Sequence, residues 1–214
     1  MKLFLTGMVA ALVSFAAPFA AAADDVAGDF DFYVLALSWS PTFCTIDGSD
    51  EDAQCRVKRH GFIVHGLWPQ YEQGYPEYCR SSVSNRVPND ISREIFDIMP
   101  SVGLIRSQWR KHGICSGLRH EPYFDLLREA FDKVVIPERF RSPLRDQRID
   151  PYVVERAFIA ANPEIPAQGI AVTCKQQHLA EVRICMTRDL EFRSCAEVND
   201  RACRARQVSM PAIR

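Results

Sequence analysis

A lysine and a histidine stand side by side in the stretch SQWRKHGIC, which covers residues 107–115. A helix brings positions i, i+3 and i+4 onto one face, so a helix here would place Gln108, Lys111 and His112 together. An imidazole titrates at about 6.5, which lets it take or give a proton near neutrality. The triplet is therefore a candidate acid–base site, although such a triplet alone is more often a solvated helix face.

A second histidine ends an apolar run in the stretch FIVHGLWP, residues 62–69. Gly66 follows His65, which lets the backbone turn and leaves the imidazole uncovered. Trp68 comes next, so a titrating group stands beside a flat apolar surface on which a nucleobase can stack. A histidine at a strand end is by default a core residue, but these neighbours favour a functional one.

The N-terminal residues have the layout of an export signal. Lys2 precedes an apolar run that ends at residue 19, and four alanines follow at residues 20–23. We expect residues 1–23 to be a signal peptide and residues 24–214 to form one domain of a periplasmic or secreted protein, without a membrane anchor after signal removal.

The cysteine count fits an oxidising compartment. The chain has eight cysteines, and an even number in an exported protein argues for disulfide bonds. Spacing alone leaves about a hundred pairings open. No Cys-x-x-Cys pair occurs, which argues against a zinc ribbon or a thioredoxin-like redox site.

The formal net charge is −1 at pH 7. Proteins that hold nucleic acid tightly normally carry a marked basic excess, because phosphate neutralisation supplies much of the affinity. A polyanionic substrate must here be held locally and released, which favours an enzyme over a storage protein.

Apolar periodicity predicts strands at both ends of the chain and helices between them. The segment 30–39 is apolar on both faces and reads as a central buried strand that Pro41 ends, and 62–65 reads as a short strand that ends at His65. Gly113 reads as the C-terminal signal of a helix. The predicted helices are 91–99, 102–112, 121–135 and 151–161; the later strands are 169–174 and 179–186; and 69–90 is a loop. This order predicts an α+β fold with a central, mostly antiparallel sheet flanked by helices.

The two histidine segments resemble the active-site segments of the ribonuclease T2 family, in which the second reads His-Glu-Trp-x-Lys-His-Gly-Thr-Cys. FIVHGLWP and WRKHGIC stand in the family order about 45 residues apart, and the likeness extends to the opening strand FYVLALSWSPTFC and to the cysteine layout. The resemblance implies a disulfide-stapled α+β endoribonuclease. Such an enzyme cleaves single-stranded RNA through a 2′,3′-cyclic phosphate, with low base specificity and with no metal or cofactor.

The resemblance also implies how the cysteines pair. The expected bonds are Cys79–Cys115, Cys174–Cys203 and Cys185–Cys195, with Cys44–Cys55 as a bacterial-looking addition. Cys79–Cys115 would join the loop after His65 to the end of the His112 helix. The two histidines would then face each other across one cleft.

RNA carries its own nucleophile, the ribose 2′-hydroxyl, so an enzyme needs a base, an acid and a fixed cation. From the family, His112 is the base, His65 is the acid, and Lys111 supplies the cation. The two histidines exchange roles when water opens the cyclic phosphate. DNA lacks the 2′-hydroxyl and is not an expected substrate, and we expect a monomer.

The resemblance assigns the substrate-binding residues as well. Trp68 and Tyr75 would stack on the base 5′ of the cut, and Gln70 would hydrogen-bond its edge. Stacking is worth roughly 1 to 3 kcal/mol per base and tolerates sequence, which suggests weak base preference.

The chain departs from the family where Ser107 and Gln108 replace a histidine and a glutamate. Because they occupy the family's site positions, Ser107 is a candidate substrate-binding residue and Gln108 is a candidate catalytic residue. Without the carboxylate that would raise the pKa of the neighbouring imidazole, taken as His112, we expect reduced activity and a pH optimum nearer neutrality than in relatives. The alternative is neutral drift at a secondary position.

Two other classes of protein stay open on the sequence. One is a secreted, catalytically decayed pseudoenzyme of the same fold that binds RNA or inhibits. The other is a metal protein that uses His60 and His65 with His120 or His178, although no motif surrounds those additional histidines.

Overall fold

The computed structural model describes residues 25–48, 53–56 and 60–213. The expected signal peptide lies outside these residues. Within them the chain has the predicted α+β fold, and its strands join one sheet. The strands are Phe32–Trp39 (β1), Phe62–Gln70 (β2), Gln147–Ile149 (β3), Ile170–Lys175 (β4), His178–Met186 (β5) and Val208–Met210 (β6).

Helices lie in the connections between consecutive strands, except between β4 and β5, which a two-residue turn joins. They are Ser40–Ile46 (α1), Ala53–Arg56 (α2), Asn89–Glu94 (α3), Val102–Lys111 (α4), His120–Asp132 (α5), Pro151–Ala161 (α6) and Ala196–Asp200 (α7). Short 3-10 turns cover Gly113–Ser116 and Glu138–Phe140. None of the helices in the described ranges is long and apolar enough to cross a membrane.

The sheet is mostly antiparallel, as predicted. β1 lies between β2 and β5 and runs antiparallel to both, and β4 is antiparallel to β5. β6 is antiparallel to β3 and meets the first residue of β5 in a parallel bridge. Nearly all of β1 is buried, which agrees with its apolar residues on both faces.

The long helices agree with the apolar periodicity. α6 has the predicted bounds, and the Asp150 side chain caps it by accepting a hydrogen bond from the Tyr152 amide. The Ser101 hydroxyl caps α4 in the same way through the Leu104 amide. α3 is shorter than predicted: it ends at Glu94, and turns lead to Pro100.

Strand β1 ends at Trp39, before Pro41 as predicted, but Gly113 acts differently from the prediction. Helix α1 was not predicted, and Pro41 lies in its first turn. Proline is tolerated there because it lacks only an amide proton that the first turn does not use. Gly113 starts a 3-10 turn instead of forming a left-handed cap, and Gly117 has the positive φ of 77°. A Cβ at Gly113 would lie 2.8 Å from the Trp109 and Tyr123 rings, so glycine is required for packing.

The strand predicted to end at His65 continues to Gln70. Pairing with β1 continues on both sides of a bulge, in which Ala36 pairs with Gly66 and Leu37 pairs with Val64, and His65 has no partner on β1. The glycine therefore continues the strand instead of turning it. Strand alternation reverses at this point, so Val64 and Leu67 both contribute to the main core.

All four disulfides have the implied pairing. They are Cys44–Cys55, Cys79–Cys115, Cys174–Cys203 and Cys185–Cys195. Cys79–Cys115 joins the loop between β2 and α3 to the 3-10 turn that follows α4.

Candidate active site

The two motif histidines line one cavity of about 350 Å³. β2 contributes His65 and Trp68, and the end of α4 contributes Lys111 and His112. The His65 ring lies 5.3 Å from the Trp68 ring, and the His112 ring lies 5.1 Å from the same indole, measured between ring centroids. The structure therefore brings together residues that are far apart in the sequence.

The β2 bulge is what places His65 beside Trp68. In a regular strand, residues three positions apart point to opposite faces. The extra residue at the bulge reverses the alternation, so both side chains reach the cavity. A Cβ on Gly66 would lie 2.3 Å from Nε1 of Trp68, so only glycine lets the indole fold back over this strand.

Each ring nitrogen of His65 has a side-chain partner. Nδ1 is hydrogen-bonded to Oε1 of Glu181, and Nε2 lies 3.1 Å from Nε2 of Gln108. The imidazole is about one-third exposed, at 31%. It is held from both sides and remains open to the cavity.

Gln108 connects His65 to the indole of Trp68. Trp68 Nε1 donates to Oε1 of Gln108 at 2.8 Å, and the amide nitrogen then faces His65. The prediction that the missing carboxylate acts on His112 was wrong, because helix α4 directs the Gln108 side chain to His65. The expected neutral shift of the pH optimum no longer follows from that argument.

His112 lies at the end of α4 and is buried, with 7% of the residue exposed. The rings of Trp68 and Tyr75 pack against it, with the Tyr75 centroid 5.6 Å away. Burial, followed by the positive charge of Lys111, lowers the pKa of His112 to about 3. Nδ1 is buried and has no hydrogen-bond partner among the described residues. The imidazole is therefore neutral at neutral pH.

Lys111 supplies positive charge at the cavity mouth. Its Nζ lies 3.4 Å from Oε2 of Glu77 and 5.9 Å from the centre of the Tyr75 ring. Both partners of this ion pair are more than one-third exposed, so the pair is weak and an anion can replace Glu77.

Glu181 and Arg183 are site residues that the sequence analysis missed. They lie on β5, where Val182 and Ile184 point into the main core and the two charged residues point into the cavity. Burial raises the pKa of Glu181, but the hydrogen bond from His65 and the charges of His65 and Arg183 outweigh it and leave this pKa well below its ordinary value. Charged residues at alternate positions of an otherwise apolar strand were the signal that could have found them.

Helix α7 forms another wall that the sequence analysis missed. Glu197, Val198 and Arg201 line the cavity. Glu197 also accepts a hydrogen bond from the Gly74 amide at 2.5 Å, which holds the loop that carries Tyr75. The helix has five residues, too few for its apolar periodicity to be recognised.

The predicted substrate-binding residues have different environments. Tyr75 is 39% exposed at the cavity, while Trp68 is 8% exposed and has the Arg183 guanidinium over its ring at 5.2 Å. Gln70 lines the cavity, but its amide nitrogen donates to the Pro69 carbonyl. Ser107 is not among the described residues that line the cavity, because its hydroxyl donates to the Leu104 carbonyl within α4.

A second cavity of about 630 Å³ adjoins the first. Both are lined by His65, Glu181 and Arg183, so the groove continues past His65. The second cavity adds Phe43, with Lys175 at the end of β4.

The described residues offer no constellation for a metal ion. No group of three or more His, Cys, Asp or Glu side chains among them could hold one. His120 instead pairs with the Ser84 carbonyl, and His178 with the Gln176 carbonyl.

Comparison with known proteins agrees with the fold and with the family resemblance. A sequence model of the Ribonuclease T2 family matches residues 30–195. A protein named ribonuclease from Aeromonas hydrophila is 36% identical over 179 residues, which cover 76% of this chain and 74% of that protein. Ribonuclease I of Escherichia coli is 25% identical over 206 residues, which cover 76% of this chain and 77% of that protein.

Solved structures share the fold. The RNase-related protein from Calystegia sepium superposes with a TM-score of 0.70 at 24% identity and covers 87% of this chain and 99% of its own. RNase NT, solved with 5′-AMP, superposes with a TM-score of 0.66 at 21% identity, and the match covers 86% of this chain and 99% of RNase NT.

The α+β fold and the histidine cavity define a class of disulfide-linked ribonucleases. The chain belongs to the ribonuclease T2 family, and it is an enzyme that acts on RNA.

Proposed function

We propose that the protein is an endoribonuclease that cleaves single-stranded RNA by attack of a ribose 2′-hydroxyl on the adjacent phosphate. The O2′–P bond forms as the P–O5′ bond breaks, which leaves a 2′,3′-cyclic phosphate that water then opens. One observation carries the proposal: the rings of His65 and His112 contact the same Trp68 indole in one cavity, with Lys111 beside them.

His112 is proposed as the base that takes the 2′-hydroxyl proton. Its lowered pKa leaves it neutral and able to accept that proton. An anionic phosphodiester in the cavity offsets the positive charges around His112, and this strengthens it as a base when substrate binds.

His65 is proposed as the acid that protonates the leaving 5′-oxygen through Nε2. Nδ1 is bonded to the Glu181 carboxylate, so the second nitrogen is the one available to the substrate. The roles of His65 and His112 exchange in the hydrolytic step.

Lys111 is proposed to stabilise the charge of the phosphorane. Its exposed pairing with Glu77 leaves the ammonium free to turn to a phosphate oxygen. With two imidazoles and this ammonium, the protein supplies acid, base and charge from its own side chains, so the proposed reaction needs no metal.

Gln108 is proposed to weaken the reaction without abolishing it. Its amide nitrogen faces the nitrogen of His65 that must carry the transferred proton. Two donors cannot share one hydrogen bond, so the amide must move away whenever His65 is protonated there.

The groove favours a flexible single strand with little base preference. Tyr75 offers an exposed ring for stacking, and stacking tolerates all bases. The adjoining cavities give room for a nucleotide on each side of His65. DNA provides no 2′-hydroxyl and is not a substrate in this proposal.

The test is incubation of the oxidised protein with RNA and a chelator at several pH values. His65→Ala and His112→Ala are compared with His178→Ala, whose side chain pairs with the Gln176 carbonyl outside the catalytic cavity. We expect cyclic phosphate products from the parent and His178→Ala only. RNA that is bound but uncut at every pH would contradict the proposal and favour a decayed, RNA-binding member of the family.

Export, domain structure and oligomeric state are part of the proposal. Four disulfides fit an oxidising compartment such as the periplasm or the cell exterior. We propose that residues 1–23 are removed and that residues 24–214 act as a monomeric single domain. The N-terminal sequence of the exported protein and its mass in solution test this.

A further inference from the structure

Glu181 carries a buried carboxylate on an inner strand of the sheet, next to His65, the proposed acid. It lies on β5, where it pairs with Ser38 of β1 on one side and with Thr173 of β4 on the other. A strand held from both sides has a fixed backbone, so the position of this side chain is set by the sheet. It is 11% exposed.

Both oxygens of this carboxylate are occupied. Oε1 accepts the hydrogen bond from Nδ1 of His65. Oε2 accepts two bonds from Arg183, from Nε at 2.9 Å and from Nη2 at 2.7 Å. A buried carboxylate without partners would be costly, and here the hydrogen bonds from His65 and from the Arg183 guanidinium offset that cost.

Arg183 closes a ring of five side chains, one of which is the His65 imidazole. Its guanidinium lies over the Trp68 indole, which donates to Gln108, which contacts His65, which is bonded to Glu181. Each member restricts the next. The ring leaves His65 little freedom to rotate or to exchange its two nitrogens.

We propose that Glu181 is a positioning residue that orients His65 and keeps a proton on Nδ1, with Arg183 holding the carboxylate in place. This rests on the proposed function, in which His65 is the acid. In the first step the Nε2–H bond of His65 breaks as its proton passes to the 5′-oxygen and the P–O5′ bond opens. His65 is then a neutral imidazole whose Nδ1 proton remains bonded to Glu181, and the carboxylate stays ionised throughout.

The deciding experiment compares two substrates in Glu181→Gln. A dinucleoside phosphate needs its 5′-oxygen protonated, whereas the nitrophenyl ester of a nucleoside 3′-phosphate leaves without an acid. We expect kcat/KM for the dinucleoside phosphate to fall by at least about 10-fold and kcat/KM for the nitrophenyl ester to change by less than about 3-fold. Equal losses on both substrates would mean a merely structural role, and no loss on either would also overturn the proposal.

Two further variants separate this inference from the proposed function. His65→Ala must itself show the selective loss, and equal losses there would refute the acid role of His65 and not the role of Glu181. Glu191→Gln removes an exposed carboxylate that pairs with Lys133, and it should leave both substrates unaffected.

A measurement on the unaltered protein covers the case in which Glu181→Gln does not fold. Nitrogen-15 NMR reports which ring nitrogen of His65 carries the proton when the ring is neutral. We expect the proton on Nδ1 and a bare Nε2. The opposite tautomer would overturn the proposal.

Discussion

Trp68 donates its indole N–H to Oε1 of Gln108 at 2.8 Å, and this bond decides which end of the amide faces His65. An indole nitrogen can only donate, so the oxygen must face it and the amide nitrogen must lie toward Nε2 of His65. A glutamate in this place could accept from both the indole and a protonated His65. The amide can accept from only one of them while it keeps this orientation.

Gln108→Glu should therefore raise activity. A carboxylate favours the protonated His65 that the proposed mechanism needs, so we expect kcat/KM on a dinucleoside phosphate to rise about 10-fold and its alkaline limb to move to higher pH. The measurement is a pH profile of kcat/KM. Gln168→Glu adds the same charge at an exposed loop position and should reproduce neither change. An unaltered profile in Gln108→Glu would leave neutral drift as the explanation of this position.

Stability should fall as the medium becomes acidic. The His112 pKa is lowered from 6.5 to about 3 in the fold, so between these values the unfolded chain binds more protons and stability rises with pH. Glu181, whose pKa is also lowered, adds a loss in the same direction below its ordinary value of 4.5. The free energy of unfolding by urea, measured from pH 7 to pH 3 with disulfides intact, should decline steadily. His112→Gln should flatten the part of this decline above pH 4.5, and an unchanged slope would contradict the buried neutral imidazole.

Gly66→Ala should disable the site through Trp68. A Cβ at this position would lie 2.3 Å from Nε1 of the indole, which would displace the ring and break its bond to Gln108. We expect kcat/KM to fall by at least about 10-fold, since the rings of both proposed catalytic histidines pack on this indole. The matched control is Gly103→Ala, which adds the same methyl group at a residue that lines the adjoining cavity; there the nearest atom is 3.6 Å away and helix α4 gains a better helix former. Activity is assayed together with the melting temperature. Equal effects of the two substitutions would refute this account.

Removing Cys79–Cys115 should affect both stability and activity. This bond closes 36 residues, and the loss of loop restriction in the unfolded chain predicts a destabilisation of about 4 kcal/mol. It also joins the loop that carries Tyr75 to the turn after His112, so KM should rise. The double variant Cys44→Ala/Cys55→Ala opens a closure of 11 residues outside the catalytic cavity. It should lose about 3 kcal/mol and keep its KM. A KM that rises equally in both double variants would contradict the role assigned to Cys79–Cys115.

Much of the fold followed from local patterns in the sequence. The apolar run of β1 and the periodic faces of α5 and α6 depend on neighbouring residues, and each of these elements formed near its predicted place. The short elements could not be recognised from the sequence. β3 and β6 have three residues each, which is too few for alternation to be distinguished from chance.

The sequence by itself determined the family, the histidine pair with its lysine and, through the resemblance, the cysteine pairing, because all of these are carried by short motifs. Only the tertiary structure decided that Glu181 and Arg183 hold His65, that Gln108 faces this histidine, and that the rings of both histidines contact Trp68. These relationships depend on the bulge in β2 and on the pairing of β1 with β5. A shift of one residue in strand register moves a side chain to the opposite face of the sheet, and packing between distant segments sets that register.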